Sequence, residues 1–132
     1  MQPLIYVGTF GIKEGKFKEY AGSFRATVET VEEHEPQMIA FHGFATEDRT
    51  EMTVVQVHPD TASMDLHMRT LRDKLGEQLA RALGPELIEI RRSEYYGAPS
   101  ESALEMDRQI PGLALSVKPV HIAGFTRTPP VT

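Results

Sequence analysis

Near neutral pH, the side chains of this chain best suited to trade a proton are its five histidines, His34, His42, His58, His67 and His121. Imidazole alone among unperturbed side chains changes charge between about pH 5 and 8. Two of the five fall in one stretch, Met52 to Leu71, which reads MTVVQVHPDTASMDLHMRTL. His58 closes an apolar run that Pro59 and Asp60 stop. His67 follows inside an amphipathic pattern, three residues after Met64 and four before Leu71, on the flank of a helix that faces a sheet. A neutral imidazole at that position can take the proton of a phenol and leave an electron-rich anion that reacts with oxygen without a metal. His67 is therefore the candidate catalytic residue, provided that open space lies beside it. A half-buried histidine bonded to a backbone carbonyl or a tyrosine is the plainer alternative.

Around it, Tyr6, Phe10, Phe44, Met64 and Met68 are of the types that line an apolar pocket for a flat ligand, with Arg92 and Tyr96 as polar anchors. His42, between Ala40 and Phe44, is expected to point into the same space. The same residues would equally serve as ordinary core. A three-histidine metal site fails on register. If the hairpin turns about Asp48 and Arg49, His42 faces Val55 while His58 pairs with Ile39 on the opposite face. With zero cysteines, thiolate nucleophiles and Cys-ligated zinc or iron-sulfur centres are excluded. No metal and no cofactor are expected. Gly8-x-x-Gly11 lacks the lysine of a phosphate loop, and the acidic run Glu29 to Glu35 reads as a solvated helix end.

Composition narrows the class further. The 132 residues, 40% hydrophobic, suit one domain spanning 1–132 with a core of its own. A net charge of -5, 14 basic against 19 acidic side chains, with no basic face, argues against nucleic acid. No run approaches the roughly 20 apolar residues of a membrane span, and the start lacks a signal-peptide pattern, so a cytoplasmic location is expected.

The elements that must position these residues follow from periodicity. Pro3 to Ile12 is β-branched and aromatic, a first strand. Phe17, Tyr20, Phe24, Val28 and Val31 recur at helical spacing from about Lys16 to His34, where Pro36 stops the helix. Met38 to Ala45 and Met52 to His58 flank a short polar turn and form an antiparallel hairpin. Asp60 is placed to cap a second helix, which runs to Gly84-Pro85 with a possible break at Gly76. Leu87 to Tyr96 is a fourth strand. A short helix within Pro99 to Gln109, an edge strand or arm within Leu113 to Phe125, and a flexible tail over 126–132 complete the chain. Strand, helix, strand, strand, helix, strand is the α+β, ferredoxin-like split β-α-β sandwich with an antiparallel sheet, both helices on one face. A second copy would cover the other face, giving a homodimeric α+β barrel with an extra C-terminal helix and strand that reaches the partner.

This order, with a histidine in the helix after the third strand, resembles the dimeric α/β barrel superfamily, especially antibiotic biosynthesis monooxygenase-like proteins. The resemblance is carried by Ile5 to Ile12 with Gly15, and by Val55-Gln56-Val57-His58-Pro59-Asp60 followed by Ser63-Met64-Asp65-Leu66-His67. It spans roughly Pro3 to Tyr96. It implies a cofactor-independent oxygenase acting on an aromatic or quinol-type ligand, or alternatively a non-catalytic dimeric domain that binds a small apolar ligand or a protein. The chain departs from enzymatic members in lacking tryptophan and in carrying the segment beyond Tyr96.

Overall fold

Nine elements follow one another in the computed structural model, which describes residues 2–127. They are β1 (Leu4–Ile12), α1 (Phe17–His34), β2 (Ala40–Ala45), β3 (Glu51–His58), α2 (Thr61–Leu75), α3 (Glu77–Ala82), β4 (Ile88–Tyr96), α4 (Glu101–Arg108) and β5 (Ala114–Lys118). The sheet order is β2-β3-β1-β4-β5. Its first four strands are antiparallel neighbours in the ferredoxin-like arrangement. β5 pairs with the chain's own β4 and runs parallel to it, so the sheet is mixed rather than wholly antiparallel. The reason is topological: α4 carries the chain back along β4, and such a crossover returns a strand in the same direction. Of the expected tail, residues 128–132 lie outside the described residues.

Local signals place the helices. α1 buries Tyr20 and Val31 and ends as the chain approaches Pro36. Asp60 caps α2: its side chain accepts a hydrogen bond of 2.9 Å from the Ser63 amide. The helix breaks at Gly76, whose φ of 51° suits a residue without a side chain. α2 turns Ser63, Met64, His67 and Leu71 inward.

Strand alternation fixes which side chains meet the helices. Along β3, Met52, Val54, Gln56 and His58 are buried, and their neighbours Thr53, Val55 and Val57 are half-buried on the other face. Phe10, Tyr20, Met52, Val54, Leu87 and Ile88 make one core cluster, and Leu4, Met64 and Tyr95 a second. Between β1 and β4 the register slips: Thr9 pairs with Arg92 and Phe10 with Ile90, leaving Arg91 as a bulge. The extra residue brings Ser93 and Tyr95 onto the same face as Ile88 and Ile90. Arg91 lies over Gly11, where any Cβ would collide with its guanidinium, and its Nη1 donates to Glu51 Oε1 at 3.2 Å.

Because the Asp60 cap starts the helix that carries His67, its removal has a defined cost. Asp60→Ala is expected to lower unfolding free energy by about 1 kcal/mol in chemical denaturation, and Asp60→Asn or Asp60→Ser to restore most of it. Equal losses for all three would remove the cap from the account.

Candidate functional site

His67 is fully buried, and its Nδ1 lies 3.0 and 2.9 Å from the two carboxyl oxygens of Glu35. Glu35, only 2% exposed, is the residue just past α1. Its amide bonds back to the Val31 carbonyl at 2.8 Å, and its side chain continues the inward stripe one turn beyond Val31. A carboxylate only accepts hydrogen bonds, so Nδ1 carries the proton it donates. In the neutral ring the other nitrogen, Nε2, is then an acceptor. Nε2 is buried and has no partner among the described residues. Phe41 meets the ring edge-on, with centroids 5.5 Å apart, and holds its tilt.

His67 stands in the wall of a cavity of about 410 Å³ between the sheet and the helices, a size typical of small-molecule sites. Tyr6, Phe10, Met64 and Met68 also line it, together with Tyr20, Phe24, Phe41 and Tyr95. Met106 and Leu83, both lining residues, are exposed and mark its mouth.

Four expected ligand contacts sit elsewhere. His42 and Phe44 project from the opposite face of β2, and Phe44 is 65% exposed. The expected pairing of His42 with Val55 is present. What the apolar character of both faces of β2 concealed is that Phe41, not His42, faces the helices. Arg92 is exposed, and Tyr96 donates to Glu94 at 2.8 Å on that same outer face. The Arg91 bulge is the cause: strict alternation from Ile88 and Ile90 places Arg92 and Tyr96 inward, whereas the extra residue puts Ser93 and Tyr95 there instead.

His58 was expected to face away, yet it is fully buried on the helix side, its ring 5.7 Å from that of His67. Ser63 Oγ lies 2.8 Å from its Nδ1 and Gln56 Oε1 2.9 Å from its Nε2. With the amide oxygen as acceptor, Nε2 is protonated and Nδ1 accepts from the serine hydroxyl. His42 and His58 thus occupy opposite faces. No group of three His, Cys, Asp or Glu among the described residues is arranged to hold a metal. Glu35 was the residue missed, taken with its charge run as solvent-facing; its fourth-residue spacing from Val31 was the available signal.

At the far wall, Tyr6 Oη is 3.2 Å from Ser93 Oγ, and Tyr95 Oη donates to Asp107 Oδ2 at 2.5 Å. Burial pushes the Tyr6 phenol up to about 12 and raises that of Tyr95 well above the ordinary range, so both keep their protons. Burial also raises Asp107, against which the hydrogen bond from Tyr95 favours its charged form.

No protein-family model matches the chain, and no curated protein matches its sequence. Solved structures do share its fold. MupZ from Pseudomonas fluorescens superposes over 100% of both chains with a TM-score of 0.69 at 16% identity. SnoaB from Streptomyces nogalater, a cofactor-independent oxygenase, matches over 76% of this chain and 96% of its own, with a TM-score of 0.58 and 17% identity. A protein from Bacteriodes thetaiotaomicron, provisionally classed as an antibiotic biosynthesis monooxygenase, covers 67% of this chain and 81% of its own at a TM-score of 0.54 and 14% identity. No helix among the described residues is long and apolar enough to cross a membrane.

Burial, and then the neighbouring His67, hold His58 down at about 4 from its ordinary 6.5, with Asp60 opposing. The unfolded chain therefore binds a proton at this site that the folded chain refuses, and stability rises with pH across the interval. Unfolding free energy should be full above about pH 6.5 and fall by about 3 kcal/mol towards pH 4. His58→Gln should flatten that segment of the curve, measured by denaturation at a series of pH values.

Proposed function

We propose that this chain, which has the monooxygenase-like fold of the dimeric α/β barrel superfamily, is a cofactor-independent oxygenase acting on an aromatic or quinol-type ligand held in the cavity beside His67. The observation that carries this reading is the Glu35–His67 pair, buried in the cavity wall with Nε2 unpartnered among the described residues. A ligand hydroxyl gives its proton to Nε2. The imidazolium so formed keeps its Nδ1–H on Glu35, whose negative charge stabilises it. The resulting aryloxide is electron-rich enough to pass an electron to dioxygen, the ligand itself supplying the reducing power. The surrounding apolar side chains exclude water and strengthen the ion pair at that moment.

The working unit in this reading is a cytoplasmic homodimer. The outer face of the sheet, with half-buried Val55 and Val57 and exposed Phe44, is the surface a second copy would cover. Neither nucleic acid nor membrane is a partner in it.

Oxygen uptake with a panel of quinols tests the reading. His67→Ala is expected to lower kcat/KM by about 100-fold or more. Variant rates equal to wild type would remove His67 from the chemistry, and ligand binding without oxygen uptake by the wild type would leave a binding domain in place of an enzyme.

A further inference from the structure

The far wall of the cavity carries a hydrogen bond with a direction. Tyr95 gives its only hydroxyl proton to Asp107. With the Tyr95 proton so committed, what this pair leaves for a ligand is lone pairs: those of the Tyr95 oxygen and those of the Asp107 carboxylate. Beside it, Tyr6 and Ser93 share a 3.2 Å contact in which either hydroxyl can be the donor. All four side chains line the cavity. Asp107 comes from α4, in the segment beyond the four-strand core.

At the opposite wall the same logic holds, since Glu35 fixes the Nδ1 proton and leaves Nε2 to accept. Each polar wall of an otherwise apolar room thus presents an acceptor. From this we infer a second subsite, built by Tyr95 and Asp107, that takes a hydrogen-bond donor, so that the cavity selects a flat apolar ligand bearing a hydroxyl or amino group at the end remote from the one His67 deprotonates. A ligand with an ether or carbonyl oxygen set against Tyr95 and Asp107 would place acceptor against acceptor and leave the buried carboxylate unpaired. The inference rests on the aromatic-ligand reading above and specifies its substrate class.

Binding of three fused-ring probes to the full-length protein, followed by calorimetry, separates the two claims. 2,6-Dihydroxynaphthalene should bind about tenfold or more tightly than 2-naphthol, and 2,6-dimethoxynaphthalene more weakly than either. Tyr95→Phe, which keeps the ring in its packing, should remove most of the diol's advantage, lowering diol affinity by a larger factor than 2-naphthol affinity. Asp107→Asn, whose amide can donate into the site, should do the same. Equal affinity of the diol and the mono-ol for wild type would overturn the donor subsite while leaving the His67 pocket standing. Loss of both ligands in equal proportion in a folded Tyr95→Phe would overturn it as well, since that is what a structural role predicts. Failure of wild type to bind any of the three would overturn the aromatic-ligand reading and this inference together.

Discussion

The hydrogen bond between Glu35 and His67 is the constraint around which the rest of the structure is arranged. A carboxylate removed from water is costly unless a donor meets it. Here one imidazole N–H spans both oxygens, and among the described residues the only other side-chain hydrogen bond is a long one of 3.4 Å from Gln37. Three elements must arrive in register for that bond to form. α1 must end where Pro36 turns the chain, α2 must start at its Asp60 cap so that His67 faces inward, and β2 must set Phe41 against the ring. The bond is local in space but ties together positions 32 residues apart in sequence.

The cavity follows from how the helices rest on the sheet. Large side chains from β1, β3 and α2 form its walls, while α4 adds Met106 at the mouth and Asp107 inside. Two carboxyl groups orient the polar groups of its walls: Glu35 at one side holds the His67 Nδ1 proton, and Asp107 at the other holds the Tyr95 hydroxyl proton. The segment after β4, which a four-strand core does without, is part of the cavity wall.

Much of this was legible in the sequence. The helical spacing of Met64, His67 and Leu71 placed His67 inward, Asp60 and Gly76 marked where α2 starts and breaks, and the length of the polar turn set the pairing of His42 with Val55. The legible features were local ones, governed by a turn, a cap or a period. What could not be read was which face of a strand apolar on both sides would meet the helices, and this turned His42 and Phe44 outward and His58 inward. Equally hidden was the bulge at Arg91, which a pattern of strict alternation cannot show and which exchanged Arg92 and Tyr96 for Ser93 and Tyr95. Glu35 escaped because its charge and its acidic neighbours pointed to solvent, whereas its place one turn after Val31 pointed to the core.

The account stands or falls on the protonation state of one ring. Long-range proton–nitrogen NMR spectra of the wild-type protein at neutral pH report separately on the two nitrogens of His67, identified by its absence in His67→Ala. Nδ1 should show the shift of a protonated nitrogen and Nε2 that of a bare one, with the Nε2 resonance moving on addition of 2-naphthol. An Nε2–H tautomer, or an Nε2 signal indifferent to the phenol, would contradict the claim that Glu35 prepares His67 as the base of this cavity.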